Sequence, residues 1–403
     1  MDSLSLITLY LGILMLSGLF FGLIASRLGL PRVAAYVIAG MIFSPDLLGS
    51  TLNLKVGHWA EPLATVALGI IAYLIGGSIT AKQIQQMGKT VLGTALSESF
   101  GAVLFVFCSM MLLASDKAGI TTFQMALAFA AIAASTAPAG TIAVLHQYRA
   151  SGPVSSVLLG VVALDDALGI VVFSLVLVVI TGETLSAKLG LAALEICGAL
   201  VLGAFAGWGL KEFASRIHKR EMRLPLVFGA ILFSVGLAEI WRLSPLLTAM
   251  AMGFSSRYFL GFSGDQLVEP IEFLEELVFI IFFTLGGAHF EINVFFQHMD
   301  LIGIYFIARI IGKYVGASLG AMISGASPPV IRWLGLGLVP QAGVAIGLVL
   351  TLGHKPAFHD VATMMVNVIL ATTLLFELVG PLAAYFALRG AGELGVKRKR
   401  RKF

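Results

Sequence analysis

An all-α membrane protein is predicted from three features of the 403-residue sequence. Hydrophobic residues make up 58% of the chain and charged residues only 12%, whereas about a quarter of an ordinary soluble domain is charged. Apolar runs recur along the chain, and most approach the roughly 20 residues that a helix needs to cross a ~30 Å hydrocarbon core. The polar breaks between the runs are short. The composition therefore excludes a soluble globular protein.

Thirteen apolar runs predict thirteen transmembrane helices. An odd number of crossings puts the two termini on opposite sides of the membrane. The predicted spans are 6–25, 33–45, 63–80, 91–113, 123–146, 153–181, 188–210, 225–241, 244–260, 271–289, 300–323, 332–352 and 361–388.

The distribution of Lys and Arg sets the orientation, since cytoplasmic loops carry an excess of basic residues. With the C-terminus inside, most of the 26 basic residues fall in cytoplasmic segments. The opposite side keeps only Lys55, Lys117, Lys188, Arg242 and Lys355. We therefore predict a multi-pass protein of the cell (inner) membrane with its N-terminus outside. The basic cytoplasmic tail at 391–403 is an orientation signal or attracts anionic lipid.

Two adjacent acids, Asp165 and Asp166, lie near the middle of the sixth span, in LLGVVALDDALGIVVFSLVLVVI. An ionisable group at the bilayer centre costs at least ~2.5 kcal/mol and is expected to face a cavity or a partner. Neighbouring helix positions point about 100° apart, so the two acids divide their roles. Burial and mutual repulsion both favour protonation, so protons compete with a bound Na⁺, K⁺ or Li⁺ for the same oxygens. The pair therefore predicts cation/proton exchange.

A charge partner for the acids is available in the eleventh span. Lys313 lies near its centre, and Arg309 lies one turn earlier on the same face. An ion pair with one Asp would offset part of the penalty for burying a cation. Lys313 is the better candidate for a working group, because Arg stays charged. Arg309 is either a functional group or an anchor between helices.

The fifth span is Ala-rich but is interrupted by Ser135, Thr136, Pro138 and Gly140. Pro138 lacks a backbone donor and frees the carbonyl one turn earlier, so the helix is expected to unwind here. Half-helix ends supply dipoles and unpaired carbonyls to an ion. Ser135 and Thr136 are therefore candidate ion-binding residues.

The twelfth span is broken in the same way at Pro340, Gln341 and Gly343. Either proline alone would be read as an ordinary kink. Together they lie in corresponding positions seven crossings apart, and an odd shift inverts the topology. The pattern predicts two inverted-topology repeats with two crossed discontinuous helices around a midplane ion site.

Two further acids are secondary candidates. Glu98 lies in the fourth span and Glu377 in the thirteenth. Either could pair with Arg309 or Lys313, and a purely structural role is open for both.

These residues together resemble the monovalent cation/proton antiporter superfamily, and in particular its bacterial sodium/proton antiporters with paired aspartates. The specific motifs are LDDALG and GKYVG; the segments SRLGLPRVAAYVIAGMIFSPDLLG and FIIFFTLGGAHFEINVF are also similar. The resemblance implies a homodimer with a scaffold domain at 1–90 and 225–290 and an ion-transporting core at 91–181 and 300–390. Residues 188–223 would be the connecting helix and loop.

The resemblance also implies a role for each site residue. Asp166 would carry the cation, Asp165 would meet Lys313, and Thr136 would contribute near the helix crossing. Members with two acids and this Lys are expected to move two protons per Na⁺ and so to be electrogenic. The sequence departs from many relatives at the second break, where Gln341 replaces a charged residue, and this departure bears on ion selectivity.

Other classes of function fit less well. A sodium-coupled symporter of an organic anion is the alternative within transporters. A channel needs a continuous polar pore, whereas the polar residues here gather at one depth. No spacing of His, Ser or Cys within a span suggests an enzyme, and no cofactor or nucleic-acid partner is predicted.

Overall fold

A computed structural model of the protein describes residues 3–49, 59–78, 81–113, 121–181, 185–217, 220–260, 265–290, 292–341 and 361–395, with isolated positions between 345 and 358. These residues form helices joined by short connections, and no strand occurs among them. The prediction of an all-α membrane fold is confirmed.

The helices of the described part are numbered in chain order. They are α1 (Ser3–Arg27), α2 (Arg32–Ile42), α3 (Ala60–Ser78), α4 (Ala81–Leu113), α5 (Thr122–Ala133), α6 (Pro138–Gln147), α7 (Pro153–Thr181), α8 (Leu185–Ser215), α9 (Arg223–Ile240), α10 (Pro245–Leu260), α11 (Asp265–Glu272), α12 (Glu275–Ala288), α13 (Ile292–Gln297), α14 (Met299–Ile323), α15 (Pro328–Gly337) and α16 (Ala362–Gly390).

Nine spans within the described residues are long and apolar enough to cross a membrane. One of them, Thr122–Gln147, contains both α5 and α6. The other four predicted spans coincide with α3, α10, α12 and α15, which are shorter apolar helices or are followed by residues outside the described part. The total of thirteen crossings and the inverted repeats therefore stay predictions.

The closest helix pair at the centre of the molecule is α4 and α14, and glycine makes this approach possible. A Cβ on Gly312 of α14 would lie 2.5 Å from the carbonyl oxygen of Gly101 on α4. One turn on, a Cβ on Gly316 would lie 2.7 Å from the Cα of Glu98. Small residues at four-residue spacing let helix backbones touch within a membrane. This contact holds Glu98 beside the helix that carries Lys313.

The helices pack in two groups. The helices α4, α5, α7, α14 and α16 surround one apolar cluster that includes Phe129, Tyr305 and Phe376. The helix α6 packs against α16, and α15 packs against α14 and α16. The helices α1–α3 and α9–α12 pack against one another, and α8 lies along α10. The groups follow the predicted core and scaffold segments, and the division into two domains stays a prediction.

Polar contacts link the two groups at the end of the bundle that is predicted to be cytoplasmic. His146 Nδ1 of α6 lies 2.7 Å from Glu275 Oε1 of α12. The backbone amide of Arg32 donates to the side chain of Gln147 at 2.9 Å, and the guanidinium of Arg32 lies 2.9 Å from Glu276. His146 thus takes part in a contact between α6 and α12.

The N-terminus of α7, the helix of the acid pair, is capped from the far end of the chain. The buried carboxylate of Glu393 accepts the backbone amides of Val154 and Ser155, each at 2.7 Å, and the Ser155 hydroxyl at 2.6 Å. A carboxylate satisfies the free amides and the positive dipole at a helix start. Gly152 is needed here, because a Cβ would collide with the Glu393 side chain.

We predict that Glu393→Gln lowers the free energy of unfolding by about 1–3 kcal/mol, because charge-assisted hydrogen bonds to free helix amides are lost. Thermal unfolding of the detergent-purified protein measures this effect. Glu212→Gln on α8 is the control, since that acid is half-exposed and forms an i,i+4 pair with the exposed Arg216. Equal unfolding temperatures for the two variants would refute the capping role.

Candidate ion-binding site

The fifth predicted span unwinds between α5 and α6. Ala133 ends the first helix, Ala137 adopts an extended conformation (φ −83°, ψ 120°), and Pro138 begins the second helix. Proline is preorganised for a first helical position, and its missing amide leaves no gap there. The carbonyls at the end of α5 lose their helical partners and need other donors.

The two predicted helix breaks meet. The Ala137 amide donates to the Pro340 carbonyl at 3.0 Å, and the Thr141 hydroxyl donates to the Gly337 carbonyl at 2.7 Å. A Cβ on Gly140 would lie 3.6 Å from the Pro340 ring, an ordinary van der Waals distance. Residues 342–344, including Gly343, and most positions from there to 360 lie outside the described residues, so the second half of the twelfth span is not characterised.

Arg309 of α14 is fully buried and binds the carbonyls of both breaks. Its guanidinium donates to Ala133 at 3.1 Å, to Ser135 at 2.6 Å and to Val339 at 2.6 Å. Its Cζ lies 4.6 Å from the centre of the Phe376 ring, within cation–π range. A cation at a helix C-terminus is stabilised by the helix dipole. This geometry favours the anchor role for Arg309.

Lys313, one turn further along α14, is also fully buried. Its ammonium lies 2.5 Å from Glu98 Oε2, and it donates to the Ala134 carbonyl at 2.6 Å and to the Thr136 hydroxyl at 2.7 Å. The carboxylate of Asp165 lies further away, at 3.5 Å. Four helices, α4, α5, α7 and α14, therefore meet at one ammonium group.

Asp165 projects from α7 into this centre and is fully buried. Its Oδ1 has no hydrogen-bond partner among the described residues. Gly169, one turn later, lies against Ser135, where a Cβ would come within 3.2 Å of the Ser135 Cβ. The acid-bearing helix thus packs on the break. Asp166 follows Asp165 on α7, and its side chain lies outside the described part of the structure.

Gln341 and Ser135 complete the polar contacts around the end of α5. The amide of Gln341 donates to the Ile132 carbonyl at 2.9 Å, and its Oε1 accepts the Tyr305 hydroxyl at 3.2 Å. The Ser135 hydroxyl donates to the same Ile132 carbonyl at 3.1 Å. Gln341 is therefore a neutral bridge between the two breaks.

The two secondary acids differ in their placement. Glu98 joins the centre, whereas Glu377 makes no ion pair with Arg309 or Lys313, although all three lie in the described part. The pairing considered for Glu377 is wrong, since Phe376 points at Arg309 and the next residue is turned about 100° away. Glu377 instead faces Gly286 of α12, where a Cβ would lie 2.8 Å from its Oε2.

Several contributors were not identified from the sequence. Tyr305 and Phe376 look like ordinary apolar-span residues, and a backbone carbonyl such as that of Ala134 has no sequence signature of its own. One signal was available: small residues recur every four positions on both α4 and α14. That pattern predicts a close helix pair, and the pair would have brought Glu98 to Lys313.

A helical membrane fold with a buried cluster of charges where two helix breaks meet is typical of a transmembrane ion transporter. The sequence matches the family described as "Sodium/hydrogen exchanger, transmembrane" over residues 12–383. The chain therefore belongs to the sodium/hydrogen exchanger family.

Relatives are similar over almost the whole chain. The Ammonium/H(+) antiporter subunit AmhT of Alkalihalophilus pseudofirmus is 23% identical, with 89% of this chain and 91% of the relative covered. The Na(+)/H(+) antiporter of Enterococcus hirae is also 23% identical, covering 88% and 92%. The glutathione-regulated potassium-efflux protein KefC of Escherichia coli is 27% identical over 53% of this chain and 35% of its own length.

The fold is shared with the sodium proton antiporter MjNhaP1 of Methanocaldococcus jannaschii. Its structure at pH 8 superposes with a TM-score of 0.72 at 21% identity, covering 96% of this chain and all of the other. An electron microscopy structure of the same protein gives 0.79 over 98% of this chain.

We predict that Arg309→Lys lowers the free energy of unfolding by about 1–3 kcal/mol, because one ammonium cannot replace a planar fork of donors to carbonyls on two helix breaks. Arg216→Lys serves as the control, since that guanidinium is largely exposed. Thermal unfolding measures both. An Arg309→Lys variant as stable as its control would show that the carbonyls do not need the guanidinium.

Proposed function

We propose that this chain exchanges a monovalent cation, Na⁺ foremost, for protons across the cell membrane by alternating access. The observation that carries the proposal is the fully buried Asp165 with an unpartnered carboxylate oxygen, next to Asp166 and beside the helix crossing. Membership of the sodium/hydrogen exchanger family supports the same class of transport.

Charge neutralisation provides the coupling. A buried carboxylate without a counter-charge is costly, so the site has to hold either protons or a cation before it crosses a hydrophobic gate. Protons and the cation compete for the same carboxylate oxygens. Occupation by one species excludes the other, and this exclusion makes the transporter an exchanger.

The two acids have different proposed roles. Asp166 carries the cation, with Asp165 and the Ser135–Thr136 segment contributing nearby. In the other half of the cycle, one proton binds to each acid. Two protons would then move for each cation, and the exchange would be electrogenic. The close placement of Asp165, Lys313 and Thr136 supports this assignment.

The names of the relatives bear on the identity of the cation. The names of the relatives include ammonium, sodium and potassium. Gln341, a neutral residue at the second break, leaves the local charge to the acids of α7 and α4. We propose Na⁺ as the main substrate, with K⁺ and Li⁺ as the ions to compare.

The moving parts follow the predicted domains. Residues 91–181 and 300–390 form the core that slides or rocks against the scaffold at 1–90 and 225–290, with 188–223 as the connector. We propose an N-outside, C-inside homodimer. Polar contacts such as His146 with Glu275 would then lie on the cytoplasmic side of the boundary between core and scaffold.

We predict that Asp166→Asn abolishes cation-driven proton movement, because an amide cannot take up and release a proton or neutralise a cation. The purified protein is reconstituted in liposomes with an internal pH dye, and Na⁺, K⁺ or Li⁺ is added outside. Asp300→Asn is the matched control, because Asp300 is an exposed acid in the first turn of α14.

Each outcome separates the alternatives. Exchange that survives Asp166→Asn at the wild-type rate would overturn the site assignment. A wild-type protein that takes up Na⁺ without moving protons would overturn the exchanger and favour a sodium-coupled symporter of an organic anion.

A further inference from the structure

The contacts of Lys313 assign it a different main partner from the acid pair. A lysine ammonium has three N–H donors. Three short contacts surround it: Glu98 at 2.5 Å, the Ala134 carbonyl at 2.6 Å and the Thr136 hydroxyl at 2.7 Å. Asp165 is a fourth neighbour at 3.5 Å. The ammonium hydrogen-bonds to Ala134, to Thr136 and, at the longest distance, to Asp165, and Glu98 is the nearer of its two carboxylate partners.

We propose that Glu98 is the permanent counter-ion of Lys313, and that it positions the lysine so that both Asp165 and Asp166 stay available to protons and the cation. Lys313 and Glu98 then stay together as one ion pair. This inference rests on the proposed exchange function and deepens it.

The helix packing explains why this pair would persist through a transport cycle. Glu98 and Lys313 lie on α4 and α14, whose backbones touch at Gly101 and Gly312. Both side chains are fully buried, and the other Glu98 oxygen accepts the Ser99 hydroxyl at 3.0 Å. A buried ion pair is retained where each partner would be left uncompensated without the other.

A charge count gives the net charge of each loaded state of the site. Glu98 and Lys313 cancel, and Arg309, which binds carbonyls, contributes one positive charge. The two ionised acids contribute two negative charges, so a site holding one Na⁺ is neutral. The same site holding two protons carries one positive charge. The two loaded states differ by one charge, which an electrogenic exchange of two protons for one cation requires.

Removal of Glu98 therefore has a specific consequence. In Glu98→Gln the ammonium keeps Asp165 as its remaining carboxylate partner, and Asp165 stays ionised throughout the cycle. Only Asp166 then alternates between a proton and the cation, so the ratio falls from two protons per cation to one. The apparent KM for Na⁺ rises by about tenfold or more, because one of the two acids is withheld from the ion.

The ratio is measured in proteoliposomes with imposed Na⁺ and pH gradients and the membrane potential clamped at zero. If two protons move per Na⁺, net proton flux reverses when the pH difference is half of the difference in log[Na⁺]. If one proton moves per Na⁺, it reverses when the two differences are equal. We expect the first result for the wild type and the second for Glu98→Gln. Glu195→Gln, which changes a membrane-embedded acid on α8, is expected to match the wild type.

A double variant keeps the proposal testable where Glu98→Gln folds poorly. In Glu98→Gln with Lys313→Gln, the pair is replaced by two neutral amides, so the two-proton ratio and the thermal stability should return toward wild type. Lys313→Gln alone should remain impaired, because it leaves Glu98 without its counter-ion. Restored stability in the double variant is a readout that a general packing role for Glu98 would not produce.

These experiments distinguish a failure of the Glu98 proposal from a failure of the proposed exchange function. A wild type without cation-driven proton movement overturns the exchanger, and the thermal stabilities of the four proteins still decide whether Glu98 and Lys313 are coupled. If the wild type exchanges but Glu98→Gln keeps its ratio and KM, the positioning role is overturned. A double variant no more stable than either single variant also overturns it.

Discussion

The structure depends on how the freed carbonyls at the end of α5 are satisfied. Pro138 ends the hydrogen-bond ladder in the middle of a buried span, where no solvent replaces the missing donors. Two cations one turn apart on α14 supply them: Arg309 binds Ala133 and Ser135, and Lys313 binds Ala134. Positive charge that would be costly in lipid is stabilised by the negative end of a half-helix. The break and the basic helix therefore require each other.

This constraint also places the acids. Lys313 brings Glu98 of α4 and Asp165 of α7 to the same point, so the packing of four helices converges on one charged group. Arg309 needs no carboxylate, because carbonyl oxygens surround it. If Glu98 stays paired with Lys313 as proposed, the charge that varies at the centre is that of Asp165 and Asp166. In such a centre the two basic side chains keep the same partners, while the acids can bind either protons or a cation.

Local chemistry in the sequence predicted the interrupted fifth span, since proline has a known effect on the carbonyl one turn earlier. The basic face of α14 and the acid at position 165 followed from the cost of burying charge. The ion-pair partner of each buried acid could not be predicted, because it depends on contacts between helices that are far apart in the sequence. Glu98 and Glu377 look alike in the sequence, and only the close contact of α4 with α14 brings the first to Lys313.

Other structural features could not be predicted from local sequence patterns. The cap on α7 comes from Glu393, 239 residues along the chain from Val154, and no spacing rule connects them. The direction of Glu377 follows from the rotation of α16, which is set by Phe376 packing on Arg309. The domain division, the inverted repeats and the roles of Asp166 and Gly343 stay predictions.

Competition between a cation and protons at the buried acid pair is tested most directly by thermal unfolding of the purified protein. The unfolding temperature is compared in NaCl and in choline chloride of equal ionic strength, at two pH values. A ligand stabilises the folded state it binds, and fewer protons occupy the carboxylates at the higher pH. We expect Na⁺ to raise the unfolding temperature more at the higher pH, and Asp165→Asn to reduce this effect. Equal stabilisation at both pH values, or none at either, would contradict competition at this site.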